Sequence, residues 1–150
     1  MEPVFFKFES DFIASLRCIP MIVRYKLDIC GIKLKLEQWS QFSQSDRHQL
    51  AVLPCDHPEE IAHYRQALCD LIEQRTQTQP SELPIEVHPA WTLSDHIPVP
   101  VLEKAAAVGV PFSLDQWRSL TPLQRFALIK LSRSSHENRN FKPALQEFQQ

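Results

Sequence analysis

Residues 19–53 and 97–131 align without a gap at an offset of 78, and eleven of the 35 pairs are identical: Ile19/Ile97, Pro20/Pro98, Val23/Val101, Lys26/Lys104, Gly31/Gly109, Leu36/Leu114, Gln38/Gln116, Trp39/Trp117, Arg47/Arg125, Leu50/Leu128 and Leu53/Leu131. Further pairs keep their chemistry, among them Ile32/Val110, Leu34/Phe112, Glu37/Asp115, Phe42/Leu120 and Ser43/Thr121. The chain has two glycines, and the alignment superposes them. A repeat of this kind is one supersecondary unit whose apolar face must be covered by something else. Each copy is shorter than the roughly 40 residues below which a core rarely suffices. The two copies are therefore read as halves of one domain, residues 1–150, sharing a core.

Each copy opens with Ile-Pro, and proline suits a first helical turn because the N–H it lacks has no intrahelical partner there. Helices are expected near residues 20–30 and 98–108, each closed by a glycine in the left-handed conformation, Gly31 or Gly109. An alternating stretch follows, residues 32–36 and 110–114. Pro111 argues against a central strand, so both stretches are read as extended connectors. One-turn helices around Trp39 and Trp117 come next. Ser43 and Thr121 are read as N-caps, and Thr121-Pro122-Leu123-Gln124 has capping-box spacing. The second helices, near residues 44–53 and 122–132, differ. The first is polar for two turns, whereas Leu123, Phe126, Ala127, Leu128, Ile129 and Leu131 make the second apolar around most of its circumference. Such a helix is either central in a core or presents a face to another protein.

Between the copies a central helix begins after Asp56 or His57. Pro58, Glu59 and Glu60 lie in its first turn, where negative charge complements the helix dipole. Ile61, Tyr64, Leu68, Leu71 and Ile72 form one stripe, and the helix is expected to end near Arg75. Residues 76–100, rich in proline, read as an ordered crossover anchored by Leu83, Ile85, Trp91 and Leu93. At the N-terminus Phe5, Phe8, Phe12 and Leu16 fit a short helix, with a strand at residues 5–8 as the alternative. The expected fold is mainly α, an all-α single domain built from an internal duplication around a central helix.

Composition narrows the function classes. A chain 43% apolar and 23% charged with formal charge −2 has no overall field for nucleic acid or an anionic membrane. Its charge is nonetheless uneven. Residues 118–142 hold six Lys or Arg and one acid, and residues 56–86 hold seven acids and two arginines. No apolar run approaches a membrane span, and the N-terminus lacks the basic and apolar regions of a signal peptide. A cytoplasmic location is expected. The four cysteines, Cys18, Cys30, Cys55 and Cys69, form no CxxC pair and are read as reduced thiols.

Few residues carry chemistry. Trp39 with Arg47 and Trp117 with Arg125 invite a cation–π reading, but a catalytic site rarely needs duplicating within one chain. The pairs are therefore read as an aromatic filling space with an arginine covering it. Cys55 and His57, with His63, are the best metal candidates, though no second ligand pair has zinc spacing. The expectation is that no metal is bound. Cys30 and Cys18 read as core thiols, and Cys55 is the thiol to test for reactivity. Ser134, Ser135, His136 and Glu137 hold a hydroxyl, an imidazole and a carboxylate, yet adjacency in sequence rarely gives a nucleophilic geometry. With both glycines at helix ends there is no phosphate-cradling loop. No catalytic residues, no cofactor and no enzymatic function are expected. The unduplicated tail carries Arg133, His136, Asn138, Arg139 and Phe141, followed by an amphipathic helix near residues 143–148. It is either a recognition surface or a segment that folds back over the core.

The strings Leu16-Arg17-Cys18-Ile19-Pro20-Met21, Val23-Arg24-Tyr25-Lys26-Leu27-Asp28, Cys30-Gly31-Ile32-Lys33-Leu34 and residues 120–132, together with His136-Glu137-Asn138 and Asn140-Phe141, resemble the cyanobacterial nitrate reductase associated protein family. The resemblance implies a small cytoplasmic accessory factor for assimilatory nitrate reductase, an enzyme carrying a molybdenum cofactor and an iron–sulfur cluster. It transfers no catalytic residues. The expected function is a non-catalytic accessory or maturation factor that binds nitrate reductase and supports its activity, with Arg133, His136, Asn138, Arg139 and Phe141 as the partner-binding residues. The alternative is a carrier or inserter of a metal or molybdenum cofactor component. Neither nucleic acid nor membrane is expected as a partner.

Overall fold

The computed structural model describes residues 5–10, 18–133 and 138–149, with the backbone alone at Asn138. The described chain is mainly helical: α1 (Met21–Cys30), α2 (Leu36–Ser40), α3 (Gln44–Val52), α4 (Pro58–Thr76), α5 (Val99–Ala107), α6 (Leu114–Ser119), α7 (Pro122–Arg133) and α8 (Phe141–Phe148). Single 3-10 turns cover Lys7–Glu9, Ala90–Thr92 and Asn138–Asn140. Two compact units form, one of Glu9–Ile85 and one of Glu86–Gln150 together with Phe6–Phe8.

In the first unit α4 presents Tyr64, Leu68, Leu71 and Ile72 inward, while Ile61, expected on the same stripe, is half-buried. Against them lie Val23, Leu27 and Cys30 of α1, Trp39 of α2 and Leu50 of α3. The first turn of α1 lacks a side-chain cap from Pro20, and the carboxylate of Glu9, itself buried, accepts from Met21 N at 2.7 Å. An anion there also suits the positive end of the helix dipole.

Helix α3 has little apolar surface and is held at both ends instead. At its start Ser43 Oγ accepts from Asp46 N at 3.0 Å, and Asp46 Oδ2 accepts from Ser43 N at 3.0 Å and from Arg75 Nε at 2.9 Å. The Arg75 hydrogen bond, ahead of the contacts with Ser43, holds the Asp46 carboxyl below its usual range. At its end Pro54 disfavours helical geometry for the residue before it, and Leu53 is extended at φ −58°, ψ 129°. The carbonyls this frees are met from other helices: Tyr64 Oη donates to Leu50 O at 2.8 Å, and Lys26 Nζ donates to Ala51 O at 2.8 Å and Leu53 O at 2.6 Å.

The second unit is organised around α7. Phe126, Ala127, Leu128 and Leu131 are each 0% exposed, so this apolar helix is central in the core of its own chain. It packs against α5, α8 and the Ala90–Thr92 turn, whose Trp91 meets Phe126 edge-on at 5.1 Å between ring centroids. Thr121 and Gln124 form the capping box read from the sequence, with bonds of 3.1 and 2.9 Å. Ser132 follows the second aligned stretch where Pro54 follows the first, and α7 continues to Arg133. Helix α8 starts two residues before the expected position and buries Phe141, Ala144, Leu145 and Phe148.

The two glycines close their helices as expected, Gly31 at φ 76° and Gly109 at φ 72°. The connectors depart from expectation in one copy. Residues Ile32–Lys33 form β1, antiparallel to β2 (Ser81–Glu82), with Ile32 opposite Glu82 and Lys33 opposite Ser81. Pro111 occupies the position aligned with Lys33 and has no N–H for a ladder; residues 110–113 form no strand. The proline-rich crossover is anchored at Trp91, which is 8% exposed, while Ile85 is 59% exposed yet borders Gly31.

The glycines therefore give a matched test. An added Cβ at Gly109 meets nothing within 4 Å, whereas at Gly31 it would lie 2.7 Å from Ile85 Cγ1 and 3.1 Å from Leu83 O. Gly109→Ala is expected to cost only the left-handed strain, about 1 kcal/mol. Gly31→Ala should cost more, because the strap carrying β2 must move. Urea denaturation midpoints measure both, and equal losses would show that the close approach at Gly31 is relaxed without cost.

Candidate functional site

Three polar constellations were singled out by the sequence; the structure places the first two, and part of the third lies outside the described residues. The first is the Trp–Arg pair. Trp39 and Trp117 are both 0% exposed. Arg47 Nε donates to Trp39 O at 3.1 Å and Arg125 Nε donates to Trp117 O at 3.3 Å, with the guanidinium carbons 5.6 and 5.9 Å from the respective ring centroids. In each pair the arginine, eight residues on, satisfies carbonyls at the end of the tryptophan's short helix. Arg47 also reaches Ser40 O at 3.0 Å. Arg125 is more deeply placed and also donates to Leu120 O and Trp91 O, both at 2.8 Å. Both arginines spend donors on backbone carbonyls, two from Arg47 and three from Arg125, which suits scaffolding.

The second constellation centres on the thiols. Cys55 is 2% exposed and Cys30 is 1% exposed. Burial pushes the Cys30 thiol up to about 11 and the Cys55 thiol up to about 12. Since the thiolate is the nucleophile and metal ligand, Cys55 is a protonated core thiol. His57 and His63 are exposed and do not join it. Among the described residues no group of three His, Cys, Asp or Glu side chains is placed to hold a metal ion. Beside Cys55 lies a residue the sequence reading passed over as a mere repeat position. Lys26 is buried, with its Nζ 5.7 Å from the Tyr64 ring centroid, and desolvation lowers its pKa. Its aligned partner Lys104 is half-buried. A lysine four residues before a cysteine on an otherwise apolar helix face was the available signal.

The third is the tail. Ser134, Ser135, His136 and Glu137 lie outside the described residues. Arg133 and Arg139 are exposed, whereas Phe141 is 0% exposed and packs within its own unit alongside Ala144, Leu145 and Phe148. The apolar residues of the tail thus fold back into the core of their unit, while its described arginines stay exposed.

These placements have measurable consequences. Arg125→Ala leaves three carbonyls without their donor and should lose roughly 3 kcal/mol of stability, against about 1 kcal/mol for the half-buried Arg47→Ala; denaturant midpoints rank them, and the reverse order would contradict the assignment. For the thiols, the folded pKa values lie above the ordinary value near 9. The unfolded chain then loses protons first, and the stability they contribute is present below about pH 9 and declines as pH rises towards 11–12. The decline measured by urea unfolding between pH 8 and 11 should be shallower in Cys30→Ala/Cys55→Ala than in the parent. An unchanged slope would mean that neither thiol is held protonated by the fold.

Among the described residues no helix is long and apolar enough to cross a membrane. No curated protein and no solved structure matches the chain. The family model described as conserved nitrate reductase-associated protein matches residues 5–148, nearly the whole length. By that match the chain belongs to the nitrate reductase-associated protein family.

Proposed function

We propose that this protein is a non-catalytic, cytoplasmic accessory factor that binds assimilatory nitrate reductase and supports its activity. Family membership over residues 5–148 is the observation that carries the reading. The side chains described above support it, because the buried polar groups are committed to helix ends and the most suspect thiol, Cys55, is protonated and covered. Delivery of a metal or cofactor component through Cys55 would require exposing that core.

The reading includes an internal duplication as the origin of the scaffold. It is supported by the eleven identities at offset 78, by left-handed glycines at aligned positions and by the aligned Trp–Arg pairs with the same Nε-to-carbonyl bond.

Affinity-tagged protein recovered from cells growing on nitrate should carry nitrate reductase with it, and deletion should lower reductase activity in extracts without lowering the amount of its polypeptide. Purifications that lack the reductase, together with unchanged activity after deletion, would refute the proposal.

A further inference from the structure

The end of α7, the Asn138–Asn140 turn and the start of α8 are in mutual contact and concentrate exposed positive charge. Arg133, Arg139 and Lys142 are exposed, and the ion pairs among the described residues use none of them. Arg133 in the last turn of α7 suits that helix's dipole. Lys142 does not suit its own helix, since it stands in the first turn of α8, where the dipole disfavours a cation, and Asn140 makes no side-chain cap there. The nearby acid is already engaged: Glu147 accepts from Lys7 N at 3.1 Å and Phe8 N at 3.0 Å. Beside α8 lies a shallow cleft of about 380 Å³ lined by Lys7, Phe8, Pro143, Gln146 and Glu147. The fold thus gathers cations, one of them at an unfavourable helix position, next to a cleft with an aromatic wall.

We propose that Arg133, Arg139 and Lys142 form a docking surface for an acidic segment of a partner protein, with Phe8 and Pro143 of the adjoining cleft offering the apolar contact. An external carboxylate would relieve the repulsion among these cations and complete the first turn of α8. The overall charge of −2 disfavours a polyanion held by general attraction. Complementary charge of this kind steers encounter and fixes orientation, so binding should weaken with salt. Naming the reductase as the owner of the acidic segment rests on the proposed function, whereas the acidic chemistry of the partner does not.

The test uses the full chain and a variant with R133E, R139E and K142E combined, alongside a control with R133K and R139K. Circular dichroism and a melting curve establish that each is folded. Binding is measured by fluorescence anisotropy with a labelled dodecapeptide of glutamate interspersed with phenylalanine, its lysine counterpart and a 20-nucleotide single-stranded DNA, and by biolayer interferometry with purified nitrate reductase. The expected result is preferential binding of the acidic peptide, weakened roughly tenfold or more by the triple reversal, by 0.5 M salt, and not by the lysine control. Reductase that binds the parent and the triple variant equally overturns this surface but leaves the accessory role intact. Acidic peptide bound in this way with no reductase bound keeps the surface and removes the reductase as partner. DNA bound more tightly than the peptide, or binding of none of the probes, overturns the surface.

Discussion

Helix-end carbonyls set the terms of this structure. An α-helix leaves its last carbonyls without intrahelical partners, and a chain built of short helices multiplies that problem. With two glycines available, cations from elsewhere in the sequence help to close four of the described helices. Arg65 donates to Cys30 O at 2.6 Å behind α1, Arg47 reaches Trp39 O and Ser40 O behind α2, Lys26 reaches Ala51 O and Leu53 O behind α3, and Arg125 reaches Trp117 O and Leu120 O behind α6. A positive charge is also favoured at the negative end of the helix dipole. Each buried carbonyl left unmet would cost about 1–3 kcal/mol, so these four residues help to specify the arrangement alongside the apolar core.

The same requirement explains why the two aligned stretches tolerate such different compositions. Helix α7 is stabilised by burying Phe126, Leu128 and Leu131 completely, and a helix so placed needs little help at its ends. Helix α3 buries only Asp46, Leu50 and Ala51. Its polar surface is affordable because Arg75 and Ser43 hold one end while Tyr64 and Lys26 hold the other. Burial in one stretch and hydrogen bonding in the other thus support helices at aligned positions.

Signals confined to a few residues were legible in the sequence. The glycine closures, the Ser43 and Thr121 caps, the one-turn helices at Trp39 and Trp117, and the span of α4 all follow from local stereochemistry, and α4 ends at Thr76, next to the expected Arg75. Contacts that reach across the chain were not. Glu9 caps α1 from twelve residues away, Arg75 meets Asp46 over 29 residues, and Arg65 reaches Cys30 over 35; composition and periodicity carry no trace of such pairings. Burial of Lys26 was not legible because lysine is rarely buried and its carbonyl partners exist only once α3 has stopped. Phe141 looked like an exposed anchor because the apolar period of α8 begins with it, two residues before the proline taken as the helix start. The family was legible from continuous strings, whereas the docking surface depends on which cations the fold leaves unpaired.

Pro54 and Ser132 stand at the same offset, each just past the end of its aligned stretch. The imino acid stops α3 at Val52 and leaves two carbonyls that Lys26 meets, while the serine lets α7 run on to Arg133. Lys104, the counterpart of Lys26, therefore has no terminated helix to serve, and its side chain makes no hydrogen bond among the described residues. One proline thus turns the lysine of the first stretch into a buried donor, while the lysine at the equivalent offset in the second stays half-buried without that task.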